Sequence, residues 1–160
     1  MTDRTLSTVR PEAGGAVVHV EDVYDTSVAD LWSAISEPDR LARWLAVVSG
    51  DLRVGGTLRM RFTSSWEGTG EVLVCDAPHH LVVASREEDG SETVIEARIS
   101  PEGERARLVV EERGLPTDAS DYAAGWQVHL EDLGAALAGR ETSDWSARWR
   151  QLIPSYRQGG

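Results

Sequence analysis

Two side chains in the second half of the sequence have the types and spacing for acid–base work. Glu112 follows Leu108 and Val110 at every second position, so it shares their face of a strand near the strand's end. A carboxyl on that inward face would sit in a partly dry setting with a raised pKa, able to act as an acid or to hydrogen-bond a ligand. The commoner fate of a glutamate is preferred here: the strand bulges or ends, and Glu112 lies in water beside Arg113. His129 comes three residues after Trp126 and four before Leu133, beside an apolar helical stripe. There it could reach a cavity mouth and form an acid–base pair with Glu112. The preferred reading is a half-buried flanking histidine bonded to water or backbone, since one residue of the right type is a weak signal.

Other chemistries are bounded by what the chain lacks. It contains no lysine, which excludes Schiff-base catalysis and the phosphate-loop lysine. Cys75 is the only cysteine, so there is no intrachain disulfide and no cysteine-cluster metal site. His79 and His80 follow Pro78 in a turn, where adjacent positions cannot easily face one ion, and no metal is expected. Ser, His and Asp are present without a G-x-S-x-G motif. Gly55-Gly56 opens a strand and not a helix, so it is a turn and not a phosphate loop, and no cofactor is expected.

The elements that must position these groups are legible from periodicity. Residues 1–15 read as a loose leader, followed by a strand over 16–24. Ser27 with Asp30 resembles a capping box, opening a helix that carries Leu31, Trp32 and Ile35. Ser36 as cap, Pro38 and Asp39 open a second short helix with Leu41, Trp44 and Leu45. Strands follow over Leu58–Phe62, Gly70–Cys75, Leu81–Arg86, Thr93–Ile99 and a last one ending near Gly114. Their alternation marks a sheet with one wet and one buried face.

After Pro116 the period changes. Tyr122, Trp126, Leu130, Leu133 and Leu137 make one face of a helix capped by Thr117 or Asp118 and closed by Gly139. Trp145, Trp149, Leu152 and Tyr156 recur at helical spacing in an appended helix over 140–160, with Pro154 near its stop. Trp145 and Trp149 either bury against the domain or make a dimer contact, and packing within the chain is the more economical reading. Trp66, after Ser64-Ser65 in a hairpin, is placed to cap an opening.

The 160 residues fit one domain, with 41% hydrophobic residues and a formal net charge of −11. That charge repels phosphate backbones and anionic membrane surfaces, so neither nucleic acid nor membrane is an expected partner. With no signal segment at residues 1–15 and a lone cysteine, the cytoplasm is the default compartment.

The order strand, two short helices, several antiparallel strands, long helix resembles the START/Bet v 1-like (SRPBCC) superfamily. More narrowly, it is similar to the AHSA1-like branch, the C-terminal domain of activators of Hsp90 ATPase. The resemblance rests on Ala29-Asp30-Leu31-Trp32, Pro38 through Trp44-Leu45, Arg53-Val54-Gly55-Gly56, Gly70-Glu71-Val72, Asp76-Ala77-Pro78, Leu81-Val82, Arg113-Gly114-Leu115 and Gly125-Trp126, and covers residues 16–138. It implies an α+β helix-grip fold, a curved antiparallel sheet around a long C-terminal helix. It also implies a cavity for an apolar or aromatic small molecule between sheet and helix. Relatives of this branch usually carry a bulky aromatic where this chain has Ser85, which predicts a more open pocket.

Strand parity and the helical face select the candidate lining: Trp44, Met60, Phe62, Val83, Ser85, Ile95, Ala97, Val110, Trp126, His129 and Leu130. For any one of them ordinary core packing is the commoner role. The expected function is binding of a hydrophobic small molecule by a monomer or homodimer. A cyclase- or hydrolase-type enzyme using Glu112 and His129 is the second reading. A co-chaperone or stress-response module comes last, because the N-terminal domain of Hsp90 activators has no room in this chain.

Overall fold

The computed structural model describes residues 5–157; the outermost parts of the expected leader and tail, residues 1–4 and 158–160, lie outside the described residues. Eight antiparallel strands form one sheet in the order β1-β2-β8-β7-β6-β5-β4-β3. They are β1 (Ser7–Glu12), β2 (Gly15–Tyr24), β3 (Ala46–Gly50), β4 (Thr57–Phe62), β5 (Glu67–Asp76), β6 (His80–Arg86), β7 (Glu92–Glu102) and β8 (Arg105–Leu115). Helices α1 (Val28–Ser36) and α2 (Pro38–Trp44) join β2 to β3, while α3 (Ser120–Leu137) and α4 (Trp145–Arg157) follow β8. This is the helix-grip architecture, a curved sheet holding a long helix.

The sheet has the expected one-sided burial. Leu108, Val110 and Glu112 of β8 are buried while Glu111 between them turns outward to ion-pair with Arg10 of β1. Burial of Val18, Val20, Leu31, Leu108, Leu130 and Leu133 at 0% exposure packs β2, β8, α1 and α3 into one core, at about 25 cal/mol per Å2 of apolar surface removed from water. A bulge in β2 between Ala16 and Val18 lets both Val17 and Val18 be buried despite opposite parity. Tyr24 anchors the end of β2 by donating its hydroxyl to the Leu130 carbonyl, 2.9 Å away.

Several local expectations change. Residues 7–12, read as leader, form edge strand β1 paired along β2; Ser7 holds it down by donating to the Ala123 carbonyl of α3 at 2.8 Å. Strand β3 was absent from the periodicity reading and pairs with β4. At α1, Ser27 accepts the Asp30 N–H as the capping reading requires, but Asp30 turns to Thr26 and Arg40 instead of reaching back. Ser36 does not cap α2, because its hydroxyl donates back to the Trp32 carbonyl; Glu37 holds the N-cap position. Ala119 is the N-cap of α3, with Asp118 accepting the Ser120 N–H at 3.2 Å. Gly139 closes that helix as expected, at φ +71°, where its N–H and that of Arg140 return to Ala136 and Ala135. Pro154 lies inside α4, which continues to Arg157.

α4 packs on α3. Leu152 and Ile153 bury against Ala124 and Val128. Arg148 reaches Glu131 with two nitrogens at 2.7 and 2.9 Å, and the Asp132 carboxylate accepts the Ser143 N–H at 2.8 Å. A Cβ on Gly125 would lie 3.3 Å from the Trp145 ring, so glycine in mid-helix is what lets the two helices approach.

Candidate cavity at the helix pair

A cavity of about 400 Å3 lies between the sheet and the first half of α3, with α4 as its outer wall. The sheet contributes Phe62, Ser85, Ile95 and Glu112; the β4–β5 hairpin contributes Ser64 and Trp66. Helix α3 supplies Asp121, Tyr122, Gly125, Trp126 and His129, and α4 supplies Trp145, Ser146, Trp149 and Arg150. Aromatic rings form a continuous wall. Phe62 sits edge-on to Trp66 at 5.2 Å and to His129 at 5.8 Å. His129 lies 5.5 Å from both Trp126 and Trp145, and Trp145 stacks on Trp149 at 6.1 Å. The Trp145 indole N–H is buried and has no hydrogen-bond partner among the described residues.

One polar chain crosses the floor. Ser85 Oγ lies 2.7 Å from Thr93 Oγ1; Thr93 donates to one Glu112 oxygen at 2.7 Å and Trp126 Nε1 donates to the other at 2.8 Å. The expectation that Glu112 lies in water is overturned: β8 continues past it to Leu115, leaving it 9% exposed. Burial raises its pKa above the ordinary 4.5, while the bonds from Thr93 and Trp126 pull the other way.

His129 is likewise fully buried rather than half-buried. Burial holds its pKa down at about 4 from the ordinary 6.5, so its ring is neutral at pH 7. Its Nδ1 is 3.5 Å from Thr63 Oγ1. Among the described residues no hydrogen bond joins His129 to Glu112, and Trp126 touches both. The acid–base pair is therefore not assembled.

The selected lining residues divide between two spaces. Ser85 and His129 border the large cavity. Phe62, Ile95 and Trp126 border it and also a second, almost wholly apolar space of about 90 Å3 deeper under α2. Trp44, Val83, Ala97 and Val110 face only that small space, Met60 borders it and also a polar groove with Arg59 and Glu67, and Leu130 is fully buried and borders none of these. The middle of α3 is thus filled by core, and the larger opening has moved toward its N-terminal half. Tyr122, Trp145, Trp149 and Arg150 were missed as lining. The helical spacing of Tyr122, Trp145 and Trp149 was readable, but the docking of α4 on α3, with Trp145 close over Gly125, is a tertiary contact that no periodicity reports.

The other three histidines lie outside this cavity. His19 bridges Glu111 and Glu21 at 2.8 Å each on the outer face. His80 pairs with Glu96 at 2.7 Å, whereas the His79 ring meets the Ile99 carbonyl, so the two rings diverge. Trp66 donates to Glu87 at 2.7 Å and stands at the cavity mouth.

The chain matches the family described as "Activator of Hsp90 ATPase homolog 1-like protein" over residues 25–138. It belongs to that family. The matched range runs from just before α1 to just past the end of α3, and α4 follows it. Among solved structures, CalU16 from Micromonospora echinospora superposes with a TM-score of 0.77 at 22% identity, covering 97% of this chain and 96% of that one. EF2215 from Enterococcus faecalis gives 0.74 at 21%, covering 96% and 89%. The protein encoded by BPP1335 from Bordetella parapertussis gives 0.74 at 21%, covering 97% and 92%. No curated protein matches the sequence. At these identities the likeness concerns the fold. Among the described residues no helix is long and apolar enough to cross a membrane.

Proposed function

We propose that this AHSA1-like protein binds a small molecule with an apolar or aromatic body in the cavity enclosed by β4, β6–β8, α3 and α4. The observation carrying this reading is the cavity of about 400 Å3, walled by connected aromatic rings and floored by a hydrogen-bonded carboxyl. Large apolar pockets with a few convergent polar groups are the usual form of small-molecule sites. Aromatic walls gain from burying flat ligand surface and add about 0.5–1.5 kcal/mol per favourable ring pair. Binding without chemistry is favoured over catalysis, because Glu112 and His129 do not meet and His129 stays neutral. The protein works in the cytoplasm in this reading, as a monomer or homodimer, with no nucleic acid or membrane partner.

Titration with a neutral, environment-sensitive naphthalene dye tests the reading. One saturable site, closed by Ser85→Phe, is the expected result. A folded wild-type protein that takes up no dye at millimolar concentration, and carries no small molecule in native mass spectrometry, would overturn it.

A further inference from the structure

We infer that the ligand of this cavity is an organic cation, a protonated amine on an aromatic or apolar body, held between the Glu112 carboxylate and the tryptophan wall. The inference rests on the small-molecule reading above and names the chemical class.

Charge complementarity comes first. Glu112 is the one carboxylate at the cavity floor, and among the described residues no arginine or histidine pairs with it. Outward carboxylates are treated differently: Glu111 has Arg10, His19 and Arg113, and Glu96 has His80, Arg98 and Arg113. A carboxylate out of water without a counter-charge is costly. Trp126 and Thr93 occupy one acceptor site on each oxygen, and an ionised carboxylate offers about four. The remaining acceptor capacity can meet a ligand N–H, and a charged donor makes such a bond roughly twice as strong as a neutral one.

The surroundings carry the same sign. The groups facing Glu112 are Tyr122 and neutral His129 on α3, Glu87 on the turn after β6, Asp121 at the start of α3, and exposed Arg150 on α4. Tyr122 registers this field: its pKa is raised by burial first, then by Glu112, Glu87 and Asp121. Arg150 is the only cation bordering the cavity among the described residues, and it stands at the exposed rim. An anionic ligand would meet Glu112 and Asp121, with only the Trp145 N–H and rim Arg150 to offset them. A cation would meet a carboxylate and electron-rich indoles, which attract it further.

Three naphthalene probes of one shape separate the possibilities: naphthylmethylammonium, neutral naphthylmethanol and anionic naphthylacetate, titrated at pH 7 by tryptophan fluorescence and by calorimetry. The ammonium is expected to bind at least ~10-fold more tightly than the alcohol, and the acetate most weakly. Glu112→Gln is expected to reduce the ammonium-to-alcohol ratio to near one. Alcohol or acetate binding as tightly as the ammonium in the wild-type protein overturns the cation inference and leaves the small-molecule site standing. Absence of binding by all three probes overturns both.

Discussion

His129 gives the protein a built-in sensitivity to mild acid. Its imidazole is buried among Phe62, Trp126 and Trp145, where only the neutral form is tolerated. In the unfolded chain the ring titrates near 6.5, and in the folded protein near 4. A histidine whose folded pKa is depressed leaves the unfolded state binding more protons, so its contribution is complete above pH 6.5 and is lost as pH falls toward 4. That fall in pKa corresponds to about 3 kcal/mol, most of which is lost by pH 4.5. Small domains hold only about 5–15 kcal/mol in total, so the effect is large. Urea unfolding followed by tryptophan fluorescence at pH 7 and pH 4.5 measures it. The comparison is with His129→Gln, which keeps a polar side chain of similar size without the titration. The variant is expected to lose about 2 kcal/mol less than wild type between the two pH values, whatever its offset at pH 7. Carboxylate titrations are common to both proteins and cancel in the difference. Parallel pH slopes, or a ring that titrates near 6.5 by NMR, would refute the argument.

Three further outcomes are expected. Leu152→Ala removes a fully buried side chain at the α3–α4 contact; about 2–4 kcal/mol should be lost in urea unfolding, together with dye uptake, as α4 loosens. Glu111 is held at about pKa 2, chiefly by its bond to Arg10 against the cost of burial, with His19 and Arg113 adding; this support is present above pH 4.5 and lost as pH falls toward 2. Because Arg10 is half exposed and screened, Glu111→Gln should cost only about 1–2 kcal/mol at pH 7, and less in high salt, in the same unfolding assay. Gly125→Leu should push Trp145 off α3 and red-shift tryptophan emission, whereas a shift no larger than that of Gly139→Ala would argue against close helix approach there.

Regular alternation was the readable part of the fold. Leu58, Met60 and Phe62, or Leu108 and Val110, announce both a strand and its buried side. Strand β1 gave no such signal: only Ser7 among Ser7–Glu12 is buried, and Pro11 is acceptable because the strand lies at the sheet's edge. β3 is short, with burial too irregular to show a period. Glu112 was located on the correct face but assigned to water, since intrinsic polarity favours that and its donors, Thr93 and Trp126, come from elements nineteen and fourteen residues away. Leu130 was chosen because it lies on the helix's apolar face. That face is shared by core and cavity, and what divides them is where α4 docks, a tertiary fact.

The position of α4 has a consequence for how such proteins diversify. The chamber's inner surfaces belong to the stretch that defines the family, while its outer wall, Trp145, Ser146, Trp149 and Arg150, is drawn from sequence beyond residue 138. Substitutions in that short segment can re-shape what is recognised without disturbing any strand pairing. A chimaera exchanging only Trp145, Ser146, Trp149 and Arg150 between two relatives, with Leu152 and Tyr156 kept, should therefore carry ligand preference with those positions and leave the melting of the sheet with the host.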